Sequence, residues 1–292
     1  MRAPAVPELS YCAEQVRRFD KDRFLCTLFT PPAEREALAT IYAFNVEIAR
    51  VRETVREPML GRIRLQWWRD AIAGIFAGAD QREPVAVALA EAVARFPLSR
   101  EHFDRLLDAR EFDLEDRPPA TLEELVGYAE GTSAPLVKLS AEILGASDRA
   151  VFAAANHLGI TWALTGLIRA VPFHARARRL YLPAAISRKA GLDVLAMFER
   201  GSTPGLVTVV EAVADRAREA LRSARAARRS IPRRALPAFL PATLADLYLK
   251  RIAAARYNPF DVRVQAGGAA GGAAGGADRL VALFLSRVRR RY

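Results

Sequence analysis

Residues 42–55 read YAFNVEIARVRETV, an amphipathic stretch with apolar side chains at helical spacing and charged residues between them. The pattern begins at Glu34, just after Pro31 and Pro32, and stops before Pro58, so it predicts one helix fenced by prolines. The same reading extends in both directions. Residues 9–29 predict one helix, and 61–77 (GRIRLQWWRDAIAGIFA) another, with Ile63, Trp67, Ile72 and Ile75 close to one face. Further helices are expected at 84–95, 99–114, 121–130, 133–144, 148–171, 184–190, 192–200, 205–230, 234–255 and 278–290. The breaks fall at Pro97, Pro118-Pro119, Gly145, Pro172, Pro183, Gly191 and Pro232. No alternating strand pattern competes, and the expectation is an all-α single domain.

Composition agrees. Apolar residues make up 51% of 292 residues, ample for a buried core in one large domain or two small ones. Alanine and arginine are abundant and strand-favouring threonine and tyrosine sparse, which favours helix. The net charge of +11 suits anionic partners such as phospholipid headgroups, diphosphates or nucleic acid. Nucleic acid is excluded as the expected partner, because no recognition motif accompanies the charge and its neighbours are alanines rather than aromatics. Cys12 and Cys26 make neither a disulfide framework nor a metal knuckle and read as small buried apolar residues. The N-terminal MRAPAVPELSYCAEQ lacks the apolar core of a signal peptide and the character of a transit segment. The uncharged segment 151–168 carries Asn156, His157 and Gly159, so a buried core helix is expected there rather than a membrane span. The chain reads as a soluble cytoplasmic protein, with peripheral contact to the inner membrane open to it.

Residues 266–277 (AGGAAGGAAGGA) are expected to be a flexible linker joining a helical domain, 1–265, to a basic C-terminal helix, 278–292. That helix has Leu280, Leu283, Phe284 and Val288 on one side and arginines at its end. It is expected to dock on the same domain; the alternative is a helix lying on a membrane surface or a partner.

Three ordered blocks carry a family resemblance. FLCTLFTPPAEREALATIYAFNVEIARV, REFDLEDRPPATLEELVGYAEGTSAPL and LGITWALTGLIRAVPFHARARRLYLP resemble, in order and spacing, the squalene/phytoene synthase superfamily. The resemblance implies an isoprenoid-synthase-type helical bundle with a central cavity. It also implies two acidic motifs facing each other there, whose carboxylates hold Mg²⁺ against an isoprenoid diphosphate.

Carried over residue by residue, those motifs are degenerate. The aspartates of the first fall on Ala49, Arg50 and Glu53, of which only Glu53 is a carboxylate. In the second, Arg169 matches the family's arginine, while Ala170 and His174 stand at acidic positions. Alanine and arginine supply no oxygen to Mg²⁺, so no metal and no catalytic residue is expected. The chain looks most like a non-catalytic branch of the superfamily that includes an assembly factor of respiratory complex I. The matching stretches include AFNVEIARV, RLQWWRDAI, RALPAFLPATLADLYLKRI and the arginine-rich end. This implies an assembly or stability role for the NADH:ubiquinone oxidoreductase, with a complex I subunit or assembly intermediate as partner. The alternatives are a prenyltransferase working through Glu53 and arginines, with Mg²⁺, or a prenyl-lipid carrier.

Tyr42, Arg50, Glu53, Arg169, Arg179 and Tyr181 are the candidates for holding an isoprenoid or phospholipid ligand, since arginine grips phosphate without a metal. Against that stand pairing of Arg50 with Glu47 or Glu53, and a solvated loop at Arg176, Arg178 and Arg179. His174 is expected in a loop and His157 in the core. Trp67 is expected in the core, with Trp68 stacked on a neighbour or at an interface. Arg218, Arg222, Arg225 and Arg229 form a basic stripe, continued by Arg233 and Arg234, that is either a solvated face or one turned to anionic lipid.

Overall fold

A computed structural model describes residues 9–55, 57–265, 274–289 and 292, and among these no strand occurs. The expected 9–29 helix is two, α1 (Tyr11–Phe19) and α2 (Lys21–Thr27), because Asp20 leaves helical geometry and caps the second. Its carboxylate accepts from the Arg23 amide at 3.2 Å and pairs with the Arg23 guanidinium at 2.7 Å. The 42–55 stretch closes α3 (Pro32–Ala49), then turns at Arg50 into the single-turn α4 (Val51–Thr54). Three helices complete the N-terminal half: α5 (Pro58–Phe76), α6 (Pro84–Arg95) and α7 (Arg100–Arg110), the last extended by a 3₁₀ turn to Leu114.

The central pair is α8 (Leu122–Ile143) and α9 (Arg149–Arg176). Each runs through a proline, Pro135 and Pro172; the sequence predicts a break at Pro172 and, on α8, between residues 130 and 133. An interior proline costs about 3 kcal/mol. Nearly every residue from Thr132 to Ile143 is buried, and that packing outweighs the cost. At Gly159 the α9 backbone lies against α8, where an added Cβ would come within 2.4 Å of the Ala134 backbone. The apolar α9 is long enough to span a bilayer, but it is packed by α8 on one side and by α12 (Pro204–Ala226) on another. Two short helices, α10 (Ala184–Lys189) and α11 (Val194–Arg200), bridge α9 to α12. The chain continues through α13 (Leu236–Phe239), α14 (Pro241–Ala254) and α15 (Val262–Gln265) to α16 (Ala274–Arg289).

Two apolar cores meet across α8. One joins α8, α9, α12 and α14; the other joins α1, α3, α5, α6 and α7 to Leu136, Leu139 and Ile143 of α8. Cys12 and Cys26 are buried, unpaired and in different clusters. On α5 the buried face is Gly61, Leu65, Trp68, Ile72 and Ile75. Trp67 and Ile63 are therefore exposed, correcting the expectation that both lie on the core stripe, while Trp68 is fully buried and meets Phe44 edge to face at 5.1 Å. Ile72 and Ile75 keep their predicted place in the core, and at the start of the helix Gly61 packs against Leu114.

The expected linker at 266–273 lies outside the described residues, and Ala274–Ala277 already belong to α16. That helix packs on α14. Leu283 enters a small cluster with Cys26, Leu240, Leu244 and Tyr248, and the Ser286 hydroxyl is 2.7 Å from that of Thr243. Leu280, Phe284 and Val288 do not share the Leu283 face; they point outward. Tyr292 is buried on Phe239, donating its hydroxyl to the Ala224 carbonyl at 3.2 Å.

Candidate functional site

A cavity of about 1080 Å³ opens between the end of α3, α4, the turn after α7, α8 and α9. The inner face of α9 makes room for it. Ala163, Gly166 and Ala170 recur at helical spacing along the wall, and a Cβ added at Gly166 meets nothing within 4 Å. Trp162, Leu167, Phe173 and Phe198 supply apolar wall. The rim and floor are basic, with Arg23, Arg52, Arg110, Arg117, Arg178 and Arg179 all lining the space.

One carboxylate organises this wall. Asp113, 6% exposed, accepts the Tyr128 hydroxyl at 2.7 Å, the Tyr181 hydroxyl at 3.0 Å and Arg110 Nη1 at 3.1 Å. Burial works against the Arg110 charge, yet Tyr128 and Asp113 more than offset it and hold the guanidinium above its ordinary pKa. Burial, then the Asp113 charge, raises both tyrosines, so they remain neutral donors. The chain leaves α9 through Arg178 in left-handed geometry (φ 54°), which brings Arg179 back to donate to the Asp113 carbonyl at 2.7 Å.

The predicted residues divide between the cavity and its surroundings. Ala49, Glu53, Ala170, His174, Arg179 and Tyr181 line it. His174 is on α9, not in a loop, because the helix continues past Pro172; its ring lies 4.5 Å from that of Tyr181. Burial pushes its pKa down to about 4, so the imidazole is neutral at pH 7. Arg50 is outside the lining. It caps the Phe19 ring at 3.8 Å and stands 3.7 Å from Glu53, while Glu47 pairs with Arg64 instead. Tyr42 is buried beneath the floor, 3.0 Å from the Ser140 hydroxyl, with its pKa pushed up to about 12 by burial. Arg169 points to the opposite side of α9. It lies 3.4 Å from Asp22 and 3.7 Å above the Tyr248 ring, in a buried cluster where Asp22 also accepts Tyr248 and Arg279. Arg176 and Arg178 are exposed, and His157 is half-buried.

Sequence reasoning missed Asp113, Arg110, Tyr128, Ser133 and Arg23. The signal was the middle block, whose Asp-Leu and Tyr are Asp113-Leu114 and Tyr128. Ser133, 3% exposed on the wall, has an Oγ without a hydrogen-bond partner. Arg23 is held between the Tyr42 and Trp162 rings at 5.6 and 5.4 Å.

Mg²⁺ does not fit this donor set. Among the described residues four carboxylates line the cavity, and each is engaged by arginine: Asp113 by Arg110, Glu115 by Arg117 at 2.6 Å, Asp116 by Arg52 at 3.2 Å, and Glu53 by Arg50. Among the described residues no group of three or more His, Cys, Asp or Glu is placed to hold a metal ion.

An all-helical bundle enclosing a deep cavity of apolar wall and charged rim is the architecture of a prenyl-synthase-type protein. The chain belongs to the squalene/phytoene synthase family, which it matches over residues 16–269. It is similar to NADH dehydrogenase (ubiquinone) complex I, assembly factor 6 of Bos taurus, 34% identical over 255 residues, covering 87% of this chain and 77% of that one. It is also similar to phytoene synthase of Arthrospira platensis, 31% identical over 216 residues, covering 68% of this chain and 66% of that one. Among solved structures, a dehydrosqualene synthase in complex with ligand superposes with a TM-score of 0.81 at 17% identity, over 96% of each chain.

Proposed function

We propose that this protein is an assembly or stability factor for respiratory complex I that has kept the synthase fold without its metal-dependent chemistry. The observation that carries the reading is the state of the cavity. Ala49 and Ala170 present methyl groups where the resemblance expects carboxylates, and every carboxylate on the wall is paired with an arginine. The likeness to relatives named as complex I assembly factors supports the same role. The protein works from the cytoplasmic side of the inner membrane, on a complex I subunit or assembly intermediate.

The open cavity supports a second reading within this one. Arginine recognises phosphate bidentately and without metal, and the wall beyond the rim is apolar. An isoprenoid or phospholipid with an anionic head would therefore be held rather than turned over.

The test is pyrophosphate release from farnesyl and geranylgeranyl diphosphate by the purified protein, with and without Mg²⁺. The expected result is none above background in either condition. Turnover that disappears in Glu53→Ala would establish the prenyltransferase alternative instead.

A further inference from the structure

The last helix carries two apolar faces, and the fold uses only one. Arg279, Leu283 and Ser286 turn inward, to Asp22, the Tyr248 cluster and Thr243 respectively. On the opposite side Leu280, Val281, Phe284, Leu285 and Val288 are each at least 40% exposed. At about 100° per residue these five side chains occupy one arc of roughly 140°. Large apolar side chains gathered on one exposed face mark a contact surface.

The surrounding charge says what covers it. Asp246 is shared between Arg225 and Lys250, and Asp278 pairs with Arg251 at 3.2 Å, so the nearby carboxylates are already matched. Arg287 is exposed on the helix itself, and Arg225 donates to the Tyr292 carbonyl at 2.9 Å. Arg228 also lies near enough to act on the Tyr292 hydroxyl. Arg225 of α12 and Arg228 therefore lie beside Tyr292, past the end of α16, and the sequence between carries Arg290 and Arg291. The exposed stripe of α5 provides the contrast. Met59, Leu60, Ile63 and Trp67 are accompanied by Arg64 paired with Glu47 and by Gln66 bonded to Asp70, a nearly balanced surround.

We infer that the outer face of α16 docks this protein on an anionic lipid surface. The apolar arc enters the acyl boundary while Arg287 and the arginines beside Tyr292 meet phosphate headgroups. A second copy of the chain is a poorer occupant. Sixteen residues give a helix about 24 Å long, and a face roughly 10 Å wide offers about 240 Å², far below the ~800 Å² per partner of a stable interface. The inference rests on the assembly role only for its setting at a membrane, and it is read with purified protein alone.

The experiment is co-sedimentation of the full chain with phosphatidylcholine vesicles, with and without phosphatidylglycerol, at low and high salt. The protein should pellet with the anionic vesicles, remain in solution with the neutral ones, and bind several-fold more weakly in high salt. The double variant Phe284→Glu/Val288→Glu should lower partitioning by at least about tenfold with an unchanged thermal melt, because both side chains are exposed. A second pair, Val281→Glu/Leu285→Glu, should do the same and guards against a fold defect in the first. Wild-type protein that fails to pellet with anionic vesicles, or variants that pellet as wild type does, would overturn the inference. So would a wild-type dimer in light scattering that the same variants dissociate. Complex I levels in cells are a separate readout, so failure here and failure of the assembly role are distinguishable.

Discussion

Replacing Asp113 with Asn keeps the shape of the side chain and removes its charge. In the native structure that charge faces Arg110 at 3.1 Å and accepts two tyrosine hydroxyls, with Asp113 only 6% exposed. Removing one partner of a buried ion pair costs about 3–5 kcal/mol, because the other charge is left uncompensated. The Asn carbonyl can still accept one hydroxyl, so the low end, about 3 kcal/mol, is expected for Asp113→Asn. At roughly 2 cal/mol/K of unfolding entropy per residue, that lowers the melting temperature by about 5 °C. Equilibrium denaturation should show a lower midpoint with an unchanged slope. Arg110→Met made in the Asp113→Asn background should then cost much less than in the wild type, since the pair is already broken. A loss under about 1 kcal/mol, or strictly additive single changes, would refute Asp113 as the organiser of the cavity wall.

Three further outcomes follow from the same geometry. Trp68→Ala should cost about 4 kcal/mol by denaturation, because its side chain is fully buried against Phe44, whereas exposed Trp67→Ser should cost under about 1 kcal/mol. Gly166→Ala should stabilise by about 0.5–1 kcal/mol, since the added methyl enters open space in a helix interior; Gly159→Ala should destabilise, since its methyl would meet the Ala134 backbone. For His174 the folded pKa is about 4, below an ordinary value of 6.5, so the unfolded chain takes up its proton first as pH falls. Stability contributed at pH 7 is then lost as pH falls below about 6.5, by about 2 kcal/mol between pH 7 and pH 5, and that part of the slope should vanish in His174→Phe.

The fold class was legible because nearly every segment carries helical periodicity and the breaks are marked by proline or glycine. Where the reading failed, tertiary packing decided. Pro172 reads as a stop and residues 131–132 as a gap, but α8 and α9 run unbroken through both, which places His174 on a helix. On α5 the apolar residues are too numerous for spacing alone to choose a face, and the burial of Leu65 and Trp68 leaves Trp67 outside. The candidate site was half visible. Ala49, Glu53, Ala170, His174, Arg179 and Tyr181 do line one cavity, because the resemblance fixed which positions of α3, α4 and α9 face inward. Arg169 faces the other way, toward Asp22, a residue 147 positions earlier in the chain that no local pattern connects to it. Asp113 went unassigned for the same reason: what makes it central is the convergence of Arg110, Tyr128, Arg179 and Tyr181, which only the folded chain brings together.

The assembly role is tested most directly by deleting the gene in its own host and measuring assembled complex I on native gels, alongside the carotenoid, hopanoid and sterol content of the same cells. Assembled complex I should be lost, and restored by the wild-type chain and by Glu53→Ala alike, with the prenyl lipids unchanged. Normal complex I with altered prenyl lipids would contradict that role.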